Sequence, residues 1–160
     1  MVGIDLFAGA GGMSLGAAMS GIDVCLAIEK DPHSLKTYIH NHTGTKIFPD
    51  DIRKLKNIDI KKSKRGTIIF GGPPCQGFST SNQRARNPEN ESNWLFLEFL
   101  RIVKMWMPDW VVFENVRGIK ETASGIFLDK TLEGWTSPHR LDRKWGYLRW
   151  GWGEVLVFGS

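Results

Sequence analysis

A chain of 160 residues is long enough for one domain that buries about two-thirds of its unfolded surface, and a second independent domain is not expected. Hydrophobic residues at 41% and charged residues at 24% are ordinary for a globular protein, and no apolar stretch approaches the ~20 residues of a membrane span. A net charge of +4 is compatible with a polyanionic partner but does not require one.

Met1-Val2-Gly3 enters directly into strand-like sequence, so no signal peptide is expected. The first unit reads as a strand over 2–7, a glycine turn, and a helix over about 12–20. A second strand, 24–28, leads to Asp31-Pro32, a plausible N-cap followed by proline at the first helical position, and that helix runs to about His42. A short strand at 46–48 precedes Asp50-Asp51-Ile52, and a lysine-rich connection leads into the apolar run 67–70. Residues 76–92, rich in Gly, Ser, Asn and Arg, have no apolar period and read as a long loop. Residues 94–106 form an amphipathic pattern with Leu95, Phe99, Ile102, Val103 and Trp106 on one stripe, stopped by Pro108. A further apolar run, Trp110-Val111-Val112-Phe113, ends in Glu114-Asn115-Val116. Strands alternating with helices predict an α/β fold with a mostly parallel sheet.

Chemistry concentrates at three places. In Gly71-Gly72-Pro73-Pro74-Cys75-Gln76-Gly77-Phe78-Ser79, a cysteine stands behind two prolines at the end of a strand, poised as a nucleophile. Parallel strands would bring Glu114 to the same sheet edge, where a thiol and a carboxylate can act on one ring. An isolated cysteine is ordinarily an inert small hydrophobe, and Cys25, without such a context, is assigned to the core. The third place is Asp5-Leu6-Phe7-Ala8-Gly9-Ala10-Gly11-Gly12, where Gly9, Gly11 and Gly12 permit close approach of backbone to a ligand. Ser14 stands where a dinucleotide fingerprint needs glycine, which disfavours an NAD reading. Glu29, about twenty residues on at a strand end, is placed to accept ribose hydroxyls, and Asp51 to accept from an adenine amine; the bland alternatives are N-cap or surface roles. Neither the cysteines nor His33, His40, His42 and His139 make a metal-ligand spacing, so no metal is expected. A disulfide between Cys25 and Cys75 would consume the nucleophile, which points to a reducing cytoplasm.

In order and spacing, these segments resemble the DNA (cytosine-5)-methyltransferases over roughly residues 1–133. The resemblance implies a Rossmann-like, S-adenosylmethionine-dependent methyltransferase fold, incomplete at the carboxy terminus, and double-stranded DNA as partner in bacterial or phage restriction-modification. It also implies that Phe7 packs on the adenine with Ile52 on its other side, that Ala8 and the turn glycines lie against the cofactor, and that Leu95 lies near its methionine part. Cys75 is then the nucleophile that adds to cytosine C6, Pro74 stiffens its backbone, Glu114 holds N3 and the exocyclic amine, and Asn115 orders the adjoining turn. The loop with Ser79, Ser81, Arg84 and Arg86 would close over an extruded base and meet DNA. RNA as substrate, or a non-catalytic fragment that binds cofactor and DNA, are the alternatives.

Beyond about Glu133 the family pattern fails. A Gln-x-Arg-x-Arg motif, a target-recognition region and a final Asn-containing motif are not visible. Residues 134–160 form an atypical tail rich in Trp, Gly and Arg, with Val155-Leu156-Val157-Phe158 its one strand-like run. The expectation is a partial catalytic domain over 1–133, truncated, frame-disturbed, or completed by another chain.

Overall fold

The computed structural model describes residues 1–74, 95–116, 145–150 and 153–159. Among these described residues, seven strands and three helices follow one another as β1 (Val2–Leu6), α1 (Gly12–Met19), β2 (Asp23–Ile28), α2 (Pro32–Asn41), β3 (Lys46–Phe48), β4 (Thr67–Gly71), α3 (Leu95–Trp106), β5 (Trp110–Val116), β6 (Trp145–Trp150) and β7 (Gly153–Gly159), with a 3-10 turn at Ile52–Lys54. The sheet order is β3-β2-β1-β4-β5-β7-β6. Strands β1 to β5 are parallel, whereas β7 runs antiparallel to both β5 and β6.

Local chemistry explains the early elements. Asp31 caps α2 by accepting the Ser34 N–H at 2.7 Å, with Pro32 at the first helical position, where its missing donor costs nothing. Helix α3 buries Leu95, Phe96, Phe99, Leu100, Ile102, Val103 and Trp106 along one side. Those side chains meet Ile4, Leu6, Leu26, Ile28, Ile69, Val111 and Phe113 from the sheet to form the main core. On the opposite face, Met13 and Ala17 of α1 pack with Val24, Ile68 and Phe70, while Tyr38 of α2 packs with Ala8 and Ala27. The molecule is therefore a sheet with helices on both sides. Right-handed crossovers put α1 and α2 on one face as the chain moves from β1 out to β3, and α3 on the other as it moves from β4 to β5.

At the base of β4 and β5, the Asp109 carboxylate accepts the Thr67 backbone N–H at 2.8 Å and the Thr67 hydroxyl at 2.7 Å. These bonds help set a register that aligns Gly71 with Phe113.

Two expectations change at the carboxy-terminal side. The apolar run ending at Phe113 does not end the strand: β5 continues through Glu114, Asn115 and Val116, because β7 supplies a ladder partner along its whole length, with Glu114 opposite Val155 and Asn115 opposite Glu154. Asn115 thus lies within a strand and not in a turn. Part of the tail is ordered into the same sheet. The strand-like run at 155–158 falls within β7, and β6, whose Trp, Gly and Arg composition gave no period, pairs beside it. Pairing with a neighbour overrides weak local preference in such a segment.

Candidate active site

Strand order reverses between β1 and β4, since β1 leads outward to β2 and β3 while β4 leads the other way to β5. Ligands of open α/β sheets bind at the carboxyl ends of the strands flanking such a switch point. A cavity of about 350 Å³ opens there, lined by Phe7, Ile28, Glu29, Lys30, Asp31, Asp50, Asp51, Ile52, Gly72, Pro74 and Leu95.

The chain leaves β1 through a turn of unusual backbone shape. Phe7 has φ 61°, Gly9 φ 55° and Gly11 φ 96°. A phenylalanine in the left-handed region costs on the order of 1–3 kcal/mol, so the surrounding packing must hold it there. Gly11 is the N-cap of α1, and a Cβ on it would collide with the His42 ring. His42 Nε2 also lies 3.1 Å from the Gly11 carbonyl oxygen. Gly11 and Gly12 stand at the start of α1, and Ala8 is buried with its N–H donated to the Ile28 carbonyl at 3.0 Å; none of the three lines the cavity.

Glu29 is oriented by backbone donors. Its Oε2 accepts the Gly9 N–H at 2.8 Å, and its Oε1 accepts the N–H groups of Lys30 at 2.8 Å and Asp31 at 2.7 Å. The carboxylate is locked in place while retaining lone-pair capacity for further donors.

Asp51 is engaged differently. Its Oδ1 accepts the backbone N–H of Arg53 at 3.0 Å and Arg53 Nε at 2.9 Å, and its Oδ2 lies 2.8 Å from Arg53 Nη2 and 3.6 Å from Lys30 Nζ. These bonds, that of the Arg53 side chain first, hold its carboxyl well below the usual carboxylate range. Ile52 and Leu95 are both buried, at 3% and 6% exposure, and supply apolar wall.

Arg101 of α3 fixes that wall from behind, donating Nη1 to the Leu55 carbonyl at 2.9 Å and Nη2 to the Ile52 carbonyl at 2.8 Å while Nε bonds Glu98.

On the far side of the switch point, a Cβ at Gly71 would overlap the Leu6 carbonyl, so only glycine allows β4 to pass so close to β1. At Gly72 an added Cβ would lie 2.5 Å from Glu114 Oε2, which places the Glu114 carboxylate directly against the start of the Gly72-Pro73-Pro74 segment. Burial raises the Glu114 pKa. The cause is desolvation, which disfavours the charged form.

Of the residues expected from sequence, Phe7, Glu29, Asp51, Ile52, Leu95 and Pro74 share the cavity, and Glu114 stands beside Gly72. Cys75, Ser79, Ser81, Arg84 and Arg86 lie outside the described residues, as does the Asn115 side chain. Sequence reasoning did not find Ile28, Lys30, Asp31, Asp50 and Gly72 as cavity lining, nor Arg53 and Arg101 as its supports. The Asp51-x-Arg53 spacing was a usable signal, because a turn lets a side chain fold back onto a carboxylate two residues earlier. Among the described residues no helix is long and apolar enough to cross a membrane.

A sheet of five parallel strands with an antiparallel extension, helices on both faces and a cavity at the switch point define a Rossmann-like methyltransferase fold. The family model for C-5 cytosine-specific DNA methylases matches residues 1–137, and the chain belongs to that family. It is 45% identical over 117 residues to the type II methyltransferase M.DdeI of Desulfomicrobium norvegicum, covering 72% of this chain and 28% of that protein. It is 36% identical over 126 residues to the type II methyltransferase M1.HphI of Haemophilus parahaemolyticus, covering 76% and 34%. A crystal structure described as a DNA modification methyltransferase encoded within a prophage (E. coli) superposes on all of this chain and 47% of its own, with a TM-score of 0.77 at 28% identity. The chain thus spans about a third of the length of these two curated relatives.

Proposed function

We propose that this chain supplies the cofactor pocket and the nucleophile of an S-adenosylmethionine-dependent DNA (cytosine-5)-methyltransferase, working in the cytoplasm on double-stranded DNA in bacterial or phage restriction-modification. One observation carries the reading: Phe7, Glu29, Asp51, Ile52 and Leu95, far apart in sequence, line a single cavity together with Pro74, the residue before Cys75. The donor set fits the cofactor. Glu29, held by three backbone N–H groups, suits a ribose diol; Phe7 and Ile52 offer apolar faces to a purine; Asp51 can accept an adenine amine by sharing its carboxylate with Arg53. Ala8, Gly11 and Gly12 shape the turn and stand behind the pocket in this reading.

Cytosine C5 is too weak a nucleophile to take a methyl group unaided. In the proposed reaction the Cys75 thiolate adds to C6 and turns the ring into an enamine, with Pro73 and Pro74 restricting the backbone that presents it. Glu114, whose burial favours the protonated form, holds N3 and the exocyclic amine as charge develops there. When bound, S-adenosylmethionine supplies the methyl group that C5 takes in an in-line displacement. Transfer of the C5 proton to a base, for which water is one candidate, and departure of the thiolate restore the aromatic ring. A base inside a duplex must first be extruded, and Ser79, Ser81, Arg84 and Arg86 are assigned to the loop that closes over it and meets the DNA backbone. Asn115, on the strand beside Glu114, is assigned a supporting role.

We assign the chemistry to residues within 1–133, with β6 and β7 of the 134–160 region extending the same sheet, and the target-recognition region to a complementing chain. The test is methyl incorporation from labelled cofactor into defined duplexes and a matched RNA at one fixed salt concentration, with and without such a chain. The 160-residue chain alone should bind cofactor weakly and methylate poorly, because base-edge contacts are lacking. Efficient site-selective methylation by the chain alone would overturn the split reading, and preferential methylation of the RNA would overturn the DNA assignment.

A further inference from the structure

Three buried polar side chains beside the glycine turn have no part in the reaction described above. Asp5, Ser14 and Tyr38 are each 0% exposed. Ser14 Oγ donates to Asp5 Oδ2 at 2.6 Å and lies 2.7 Å from the Tyr38 hydroxyl. A serine hydroxyl has one proton, so giving it to Asp5 makes Tyr38 the donor to Ser14. Asp5 Oδ1 has no partner among the described residues. A buried carboxyl with an orphaned oxygen lowers stability relative to a well-packed apolar residue, so its retention calls for a compensating role.

The placement of the three residues supplies one. Asp5 sits near the end of β1 and Ser14 in the first turn of α1, so their bond joins the two ends of the segment that contains Phe7, Gly9 and Gly11. The N-cap of α1, Gly11, has no side chain, and it is the Ser14 hydroxyl, bonded to Asp5, that anchors the first turn of the helix to β1. Tyr38 ties the same point to α2, and His42, one turn further along, holds the Gly11 carbonyl. Within the segment so restrained, Gly9 directs its N–H at Glu29 Oε2.

We propose that Asp5, Ser14 and Tyr38 are positioning residues: their hydrogen-bonded chain staples the glycine turn so that Gly9 holds Glu29 in place and the ribose end of the cavity is formed before ligand arrives. The ligand side of this proposal rests on the cofactor reading above. The conformational side does not.

The experiment measures residue-resolved amide hydrogen exchange on the 160-residue chain without ligand, and calorimetric affinity for S-adenosylhomocysteine, in wild type, Ser14→Ala, Tyr38→Phe, Asp5→Ala and Asp5→Asn. Loss of the staple in Ser14→Ala and Asp5→Ala should speed exchange at Gly9 by roughly tenfold or more while Ile69 and Val111 in the central strands stay at wild-type rates, the signature of local opening. Affinity should fall by about tenfold in the same variants, the range expected for losing a buried hydrogen bond. Tyr38→Phe should show the same pattern more weakly. Asp5→Asn keeps an acceptor for the Ser14 hydroxyl and should stay near wild type. Wild-type exchange at Gly9 in both Ser14→Ala and Tyr38→Phe, or an equal rise at Gly9, Ile69 and Val111, would overturn the staple. Should the wild-type chain fail to bind S-adenosylhomocysteine, the cofactor reading falls, and the exchange rates at Gly9 still decide the staple.

Discussion

The Glu114 carboxylate occupies the space that a side chain at Gly72 would need. A Cβ there would stand 2.5 Å from Glu114 Oε2, so the absence of a side chain on one strand's exit sets where the acid of the neighbouring strand can rest. Because β4 and β5 align Gly71 with Phe113, Gly72 and Glu114 are level across the sheet edge. The proline pair leading to Cys75 begins one residue later.

Gly72→Ala should therefore separate folding from chemistry. The clash is with the end of a flexible side chain, so thermal stability should change by no more than about 1 kcal/mol. Displacing Glu114 should slow covalent trapping on DNA containing 5-fluorocytosine by about tenfold or more, since a small misplacement at a reacting centre is costly. Wild-type trapping rates in this variant would mean that Glu114 does not need its position against Gly72.

Cys75→Ala should abolish that trapping altogether while cofactor affinity stays within about twofold of wild type, because fluorine blocks elimination only after the thiolate has added. Any adduct formed by the alanine variant, seen as a band of retarded mobility under denaturing conditions, contradicts the nucleophile assignment.

Glu29→Ala should weaken S-adenosylmethionine binding by roughly 1–3 kcal/mol, the loss of a charge-assisted hydrogen-bond partner. It also frees the N–H groups of Gly9, Lys30 and Asp31, which now converge on the carboxylate. Titration calorimetry on wild type and variant reads the difference, and equal affinities would return Glu29 to a purely structural role.

Asp5 predicts a pH dependence of stability. Burial raises its pKa from 3.8 to about 7, against the lowering bonds from Ser14 and with a small further rise from Glu29. The carboxyl faces Ser14, the Tyr38 hydroxyl beyond it, and the charge of Glu29. A folded-state pKa above the unfolded one means that the folded state binds more protons between the two values. The contribution is thus fully present below about pH 4 and is lost as pH rises through about 7. Relative to Asp5→Asn, the wild type should lose on the order of 2–4 kcal/mol of unfolding free energy between those limits. Urea titrations at several pH values on both proteins check it; parallel curves would show that Asp5 ionises in the folded chain as it does in the unfolded one.

The legible parts of this molecule are those whose causes are local. Asp31-Pro32 announces the start of α2, because cap and first-turn proline act on their own neighbours. The α3 stripe follows from helical spacing alone. Glu29 and Asp51 were visible through strand-end position, since parallel strands deliver their carboxyl ends to one edge, whereas Phe7, Ile52 and Leu95 were marked only by the resemblance to the methyltransferase family.

What folding alone decided is carried by contacts with no sequence period. Arg101 grips the carbonyls of Ile52 and Leu55, and any residue presents a carbonyl, so nothing in the sequence marks those partners. Lys30 and Asp31 enter the cavity wall, and Ser14, which in the chain merely spoils a dinucleotide fingerprint, becomes the link between Asp5 and Tyr38. The extension of β5 through Glu114 and Asn115 likewise depends on β7, some forty residues distant. Near-neighbour chemistry is written in the order of the residues, whereas long-range hydrogen bonds exist only once the sheet has brought their donors and acceptors together.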